Sequence, residues 1–158
     1  MTLRTPPTPL VISMTQGSAD AFVQGSVLTG ISGRQAYNVR RFALQLVNAA
    51  ALSAIAADYE ITVAITRRSK TAIPNISDSD VIWMSSFYVA ATTSGVVYVP
   101  AYTEFTPDYE TPIVEETIYA QLDSTATGVA VNAIVRLEVD IDTMSDIDRL
   151  NLITRSLT

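Results

Sequence analysis

An all-β fold, an antiparallel β-sandwich closed by a short C-terminal helix, is the class that this sequence predicts. Three observations carry it. About seven or eight segments alternate apolar and polar residues with a period of two. Turn residues recur roughly every ten positions, a spacing that favours a sandwich or barrel over strand–helix–strand units. One terminal stretch has helical spacing behind a serine.

Residues 1–9 carry Pro6, Pro7 and Pro9 among threonines, which predicts an extended arm ahead of a single domain over 10–158. Strands are expected at 10–14 and 21–31, punctuated by Gly17, Gly25, Gly30 and Gly33. The segment 37–47 changes phase at Arg40 and Arg41. Tyr37 and Val39 alternate one way, and Phe42, Leu44 and Leu46 the other. A bulged strand accounts for this, followed by a short helical or loop insertion at 49–57. An amphipathic helix over 35–56 is the competing reading.

Residues 60–66 place Ile61, Val63 and Ile65 on one face of a strand. A loop rich in Pro, Asn, Ser and Asp spans 71–80. The segment 81–92 reads as a strand, with 96–102 as its hairpin partner and a loop at 105–112. Strands at 114–122 and 129–141 are expected to form the last hairpin across 123–128, with positive φ needed at Gly128. Val129, Val131, Ala133, Val135, Leu137, Val139 and Ile141 share the inner face of the final strand, and Ile134 breaks its polar outer face. Ser145 caps a helix with Asp146 and Asp148 in its first turn and Ile147, Leu150 and Ile153 or Leu157 as an apolar stripe.

Composition narrows the chemistry. The chain of 158 residues is long enough for one cored domain without metals or disulfides. It has no cysteine and no histidine, so thiolate zinc sites, Ser-His-Asp triads and imidazole bases are absent. Charged residues make up 16% against about 25% in typical domains, and mean hydropathy is +0.26. The longest apolar stretch, 42–57, is broken by Gln45, Asn48 and Ser53, so no transmembrane segment is expected. No signal peptide is expected either, because the start lacks an apolar centre. A chain so poor in charge has surface to bury, and subunit interfaces are the usual place.

The C-terminal half resembles the small viral capsid proteins that have a single jelly-roll fold, of the kind seen in environmental single-stranded-genome viruses. The runs 118–128 (IYAQLDSTATG), 129–139 (VAVNAIVRLEV) and 145–150 (SDIDRL) carry the resemblance, with weaker echoes in 37–41 (YNVRR) and 65–69 (ITRRS). It covers roughly residues 35–155. The resemblance implies a jelly roll, a location in the virion, and partnership with copies of itself and with other virion proteins. One departure stands out. Such proteins often carry an arginine-rich arm that neutralises a genome, whereas this arm has one arginine, Arg4. With a net charge of −6, direct nucleic-acid binding is expected to be weak or absent. The candidate contacts are Arg67, Arg68 and Lys70, with Arg40 and Arg41 upstream.

Other constellations have a plainer reading. Asp140 and Asp142, near Asp146 and Asp148, are the weak calcium candidates, because oxygen ligands suit that ion. The EF-hand glycine and glutamate are missing, so a solvated surface is favoured and no cofactor is expected. Glu115, Glu116 and Asp123 are poorly placed for a glycosidase pair if 114–122 is a regular strand, since adjacent residues point to opposite faces. Ser69 and Lys70 lack the spacing of a Ser-Lys dyad. Trp83, Tyr98 and Tyr102 join Pro6, Pro7 and Pro9 as interface candidates. The expected function is that of a non-enzymatic, self-assembling structural subunit. The alternative is a β-sandwich binding module, carbohydrate-binding or tail-fibre-like, which needs exposed aromatics around Tyr98 and Tyr102.

Overall fold

The computed structural model describes residues 8–91 and 99–157. Among them the elements run β1 (Thr8–Thr15), β2 (Val23–Leu28), β3 (Gln35–Leu46), α1 (Ala49–Ser53), β4 (Tyr59–Thr66), β5 (Val81–Val89), β6 (Tyr102–Phe105), β7 (Pro112–Ile113), β8 (Thr117–Thr125), β9 (Asn132–Thr143) and α2 (Asp146–Leu157). All described strand pairs are antiparallel. One sheet has the order β1-β9-β3-β6, with β7 also on β3, and the other β2-β8-β4-β5.

Successive strands cross between the sheets at nearly every step. The hairpin from β4 to β5 is the long pair that stays within one sheet. This order is a jelly roll, which folds its strand edges into two facing sheets.

Burial follows the alternation of each strand. Leu10, Ile12 and Met14 of β1 and Val135, Leu137 and Val139 of β9 face Ile61, Val63 and Ile65 of β4 and Ile118, Ala120 and Leu122 of β8. In β3 the inner residues switch from Tyr37 and Val39 to Phe42, Leu44 and Leu46. The pairing with β9 slips between Val39 and Arg41, as the change of phase predicts. Without the extra residue, one half of β3 would turn its apolar set to water.

Of the two hairpins expected from the sequence, that of 81–92 with 96–102 falls largely outside the described residues, and that of 114–122 with 129–141 is not formed. β6 starts at Tyr102 and pairs with β3, not with β5, and residues 92–98 lie outside the described residues. β8 and β9 lie in different sheets, because the chain crosses the sandwich at 126–131. Ala126 and Gly128, both at positive φ, make that bend, and β8 runs on to Thr125 through part of the expected turn. The expected loop at 105–112 holds β7 at its end, and the first strand begins at Thr8, two residues inside the expected arm. Pro9 is tolerated there because β1 is an edge strand.

The ends are plugged by specific contacts. Trp83 stacks on Phe42 at 5.5 Å and leans on Phe105 at 5.1 Å between ring centres, closing the gap beside β5 and β6. Leu52 of α1 is buried, and the Tyr59 hydroxyl donates to its carbonyl at 3.0 Å. At the closed side, β1 and β2 approach so tightly that only glycine fits at position 25. A Cβ there would lie 2.7 Å from Ile12 Cγ2 and 2.8 Å from the Ser13 carbonyl oxygen. Gly25→Ala is therefore expected to lower stability by about 1–3 kcal/mol, the usual cost of overpacking. Gly17→Ala, where nothing lies within 4 Å, should do little. Urea unfolding of both variants checks this, and an unchanged Gly25→Ala midpoint contradicts the close approach.

Candidate functional site

The three cations singled out in the sequence lie just past the end of β4, and each has a carboxylate partner. Arg67 reaches Glu115 at 2.9 Å and also donates to the Pro112 carbonyl. Arg68 lies 3.4 Å from Asp80. Lys70 donates to Asp78 at 2.7 Å and to Asp80 at 2.8 Å. Those two hydrogen bonds hold the Lys70 ammonium above its ordinary range. It therefore stays protonated, the reverse of what a Ser-Lys dyad requires. Ser69 accepts a hydrogen bond from Gln24 and serves the same loop. Three positive and three negative groups thus cancel within this cluster, so a phosphate would have to displace an existing partner.

The outer face of the β1-β9-β3-β6 sheet combines charge pairs with apolar side chains. Arg41 donates to both Glu138 oxygens at 2.7 Å and to Glu104 at 3.1 Å. The hydrogen bonds from Arg41 lower the Glu138 carboxyl, against the opposing effect of burial. Arg40 pairs with Asp140. Beside these groups, Val11, Ala43, Gln45, Tyr102, Ile134 and Arg136 line a shallow recess. The Tyr102 ring is exposed, and its hydroxyl donates to Glu104. Ile134, the residue that breaks the polar alternation of β9, is part of this recess, and Val11 reaches the same place from β1.

Other sequence candidates separate. Asp140 is engaged by Arg40, while Asp142 is exposed opposite Ala36. Among the described residues, no group of three or more acidic side chains is arranged to hold a metal ion. Trp83 is half-buried and gives its ring to the core. Pro9 is exposed on β1, and Pro6, Pro7 and Tyr98 lie outside the described residues. Glu115 and Glu116 precede β8 and are not in it, and Glu115 is committed to Arg67. Among the described residues, no helix is long and apolar enough to cross a membrane.

A polar latch that the sequence reading missed ties the loop after β1 to the loop after β8. The Asp20 carboxylate accepts from the Thr127 N–H at 2.9 Å and the Thr127 hydroxyl at 2.6 Å. Ser124 Oγ lies 3.1 Å from it. Buried Gln16 extends the latch, accepting from the Val131 N–H and donating to the Ala21 carbonyl. The signal was faint, since these residues lie more than a hundred positions apart in the chain.

No protein-family model matches the chain, and no curated protein matches it. Solved structures do. The chain is similar to VP1 in an unassembled KI polyomavirus pentamer, with a TM-score of 0.51 and 10% identity over 88% of this chain and 94% of that one. A tomato aspermy virus structure gives a TM-score of 0.38 and 10% identity over 87% of this chain and 80% of that one. A low-affinity xylan-binding module, CBM86 of Roseburia intestinalis, gives 0.38 and 8% over 84% and 96%. The polyomavirus likeness agrees with the jelly-roll fold and speaks to the fold alone, and the two weaker ones add nothing to it.

The latch makes stability depend on pH. Burial pushes the Asp20 carboxyl up, but hydrogen bonds from Thr127, Ser124 and Gly128 outweigh it and hold the group below the usual carboxylate range. A carboxyl lowered on folding contributes stability above its unfolded pKa of about 3.9, and loses it as pH falls through the folded value. Asp20→Asn keeps the side-chain shape, and asparagine tolerates the φ of 57° at this position. The variant is expected to melt lower than wild type at pH 7 and to lose less on acidification from about pH 5 to pH 3. Melting curves across that range check this, and parallel curves for the two proteins contradict it.

Proposed function

We propose that this chain is a structural subunit of a viral capsid or virion shell, acting through contacts with copies of itself. The observation that carries the reading is a jelly roll whose surface is poor in charge and rich in large exposed apolar side chains. Val11, Leu28, Val47, Ile76, Tyr88, Tyr102, Tyr109, Ile141, Ile147 and Leu150 all face solvent in the single chain. With only 16% charged residues, such side chains suit a surface that contacts other subunits. The likeness to polyomavirus VP1 supports the fold on which the reading rests.

The proposed role is non-catalytic. Genome contact by this chain is proposed to be weak, since Arg40, Arg41, Arg67, Arg68 and Lys70 all have acidic partners. Other virion proteins are proposed as further partners. Pro9 on β1 and the outer-sheet recess around Tyr102 are proposed as contact regions. A second reading, glycan binding, has one observation in its favour: the exposed Tyr102 ring beside Gln45 and Arg136, since aromatic rings flanked by polar groups also suit sugar sites.

Light scattering and negative-stain microscopy of the purified chain over a concentration series test the proposal. Assemblies of many copies are expected. A protein that stays monomeric throughout, and that binds a soluble polysaccharide with an affinity lost in Tyr102→Ala, overturns the shell reading in favour of the second one.

A further inference from the structure

We infer that the recess between α2 and the loop after β4 is a carboxylate-binding site, and that its occupant is the acidic loop 107–110 of a second copy of this chain. That the occupant is a second copy rests on the self-assembly reading, to which this contact is an addition.

The recess has a volume of about 500 Å³, and Arg67, Arg68, Arg149, Glu115, Glu116 and Ile153 are among the residues that line it. Three guanidinium groups thus stand around two carboxylates. Two of the three are committed, Arg67 to Glu115 and Arg68 to Asp80. Arg149 is not. The first turn of α2 closes with the Arg149 N–H on the Ser145 carbonyl at 3.1 Å, which fixes where the side chain starts. Among the described residues, Arg149 is the one cation without an acidic partner. Its Nε is buried and has no hydrogen-bond partner. Glu116 is exposed at the same recess and makes no ion pair with it. A half-buried guanidinium in this state has lost hydration without gaining an acceptor. A carboxylate that accepts from its two terminal nitrogens as a fork offsets that cost. Ile153, 38% exposed, and Tyr119 add an apolar wall.

The loop between β6 and β7 supplies the complement. Asp108 and Glu110 are exposed, and neither has a cationic partner among the described residues. Tyr109 between them is 86% exposed, the highest value among the large apolar side chains described. The base of the loop is pinned to β3. The Thr111 N–H donates to Asn38 Oδ1 at 3.0 Å, and the Thr111 carbonyl accepts from the Val39 N–H at 3.3 Å. A loop held this way presents its tip at little further cost in entropy. Within one chain the two features do not meet. A cation without an acid and two acids without a cation are opposite in sign, and each satisfies the other between copies. The tyrosine adds the kind of aromatic anchor that dominates interface energetics, set against Ile153 and Tyr119. The contact is small, so it is weak in an isolated pair and gains strength in a shell by multivalency.

A charge swap tests the contact in sedimentation equilibrium of the full-length protein. Arg149→Glu is expected to weaken self-association about tenfold or more, and so is the double variant Asp108→Lys, Glu110→Lys. The double variant changes only exposed side chains, so its melting temperature should stay in place. Arg149→Gln, which removes the charge and keeps a polar side chain, replaces Arg149→Glu if the latter melts early, and is expected to weaken association in the same direction. An equal mixture of Arg149→Glu and the double variant is expected to associate like wild type, because each then meets the opposite charge on the other. If wild type associates and either variant associates equally well alone, the contact is wrong and the shell reading stands. If both variants are weakened and the mixture is not restored, the pairing of these two sites is wrong. If wild type never self-associates, the contact and the shell reading are both wrong.

Discussion

The pairing of β3 with β9, bulged between Val39 and Arg41, is the constraint on which the rest of the fold depends. β9 also carries β1, so a slip in this ladder would displace three of the strands in one sheet. The bulge has two consequences. It brings Tyr37 and Val39 to the same interior as Phe42, Leu44 and Leu46. It also leaves two successive arginines on the outside, where Arg40 meets Asp140 and Arg41 meets Glu138. The packing of the core and the charge pattern of the outer face thus come from one extra residue.

The same economy appears in the ionised groups. Arg67, Arg68 and Lys70 hold the loop after β4 to Glu115, Asp78 and Asp80. Their charge is spent inside the subunit, which leaves little field to attract a polyanion. Gln121 and Thr66 are buried beneath that loop and bonded to each other at 2.7 Å.

Much of this was legible in the sequence where a pattern maps onto burial. The alternation in β4 and β9 named the inner residues except Ile141, which lies exposed at the end of β9, the change of phase at Arg40 and Arg41 located the bulge, and Ser145 marked the start of α2. Pairing was less legible. Alternation says which face of a strand is buried but not which strand lies beside it. The segments around β5 and β6, and around β8 and β9, therefore read as hairpins although the chain crosses between sheets. The Asp20 latch was hidden for a similar reason, since its members meet only after β1, β2, β8 and β9 have found their places. The stripe of Ile147 and Leu150 was visible as a pattern, but periodicity alone does not say whether a stripe faces its own core or another molecule.

The dependence of the fold on the bulge is tested most directly by deleting Arg40 and comparing the product with Arg40→Ala. The substitution removes an exposed ion pair, worth roughly 0–1 kcal/mol, and keeps the register. The deletion keeps every apolar residue but forces one half of β3 to present the wrong face. The account predicts that Arg40→Ala melts cooperatively within a few degrees of wild type, and that the deletion variant shows no cooperative transition. A deletion variant that folds and melts like wild type would contradict it.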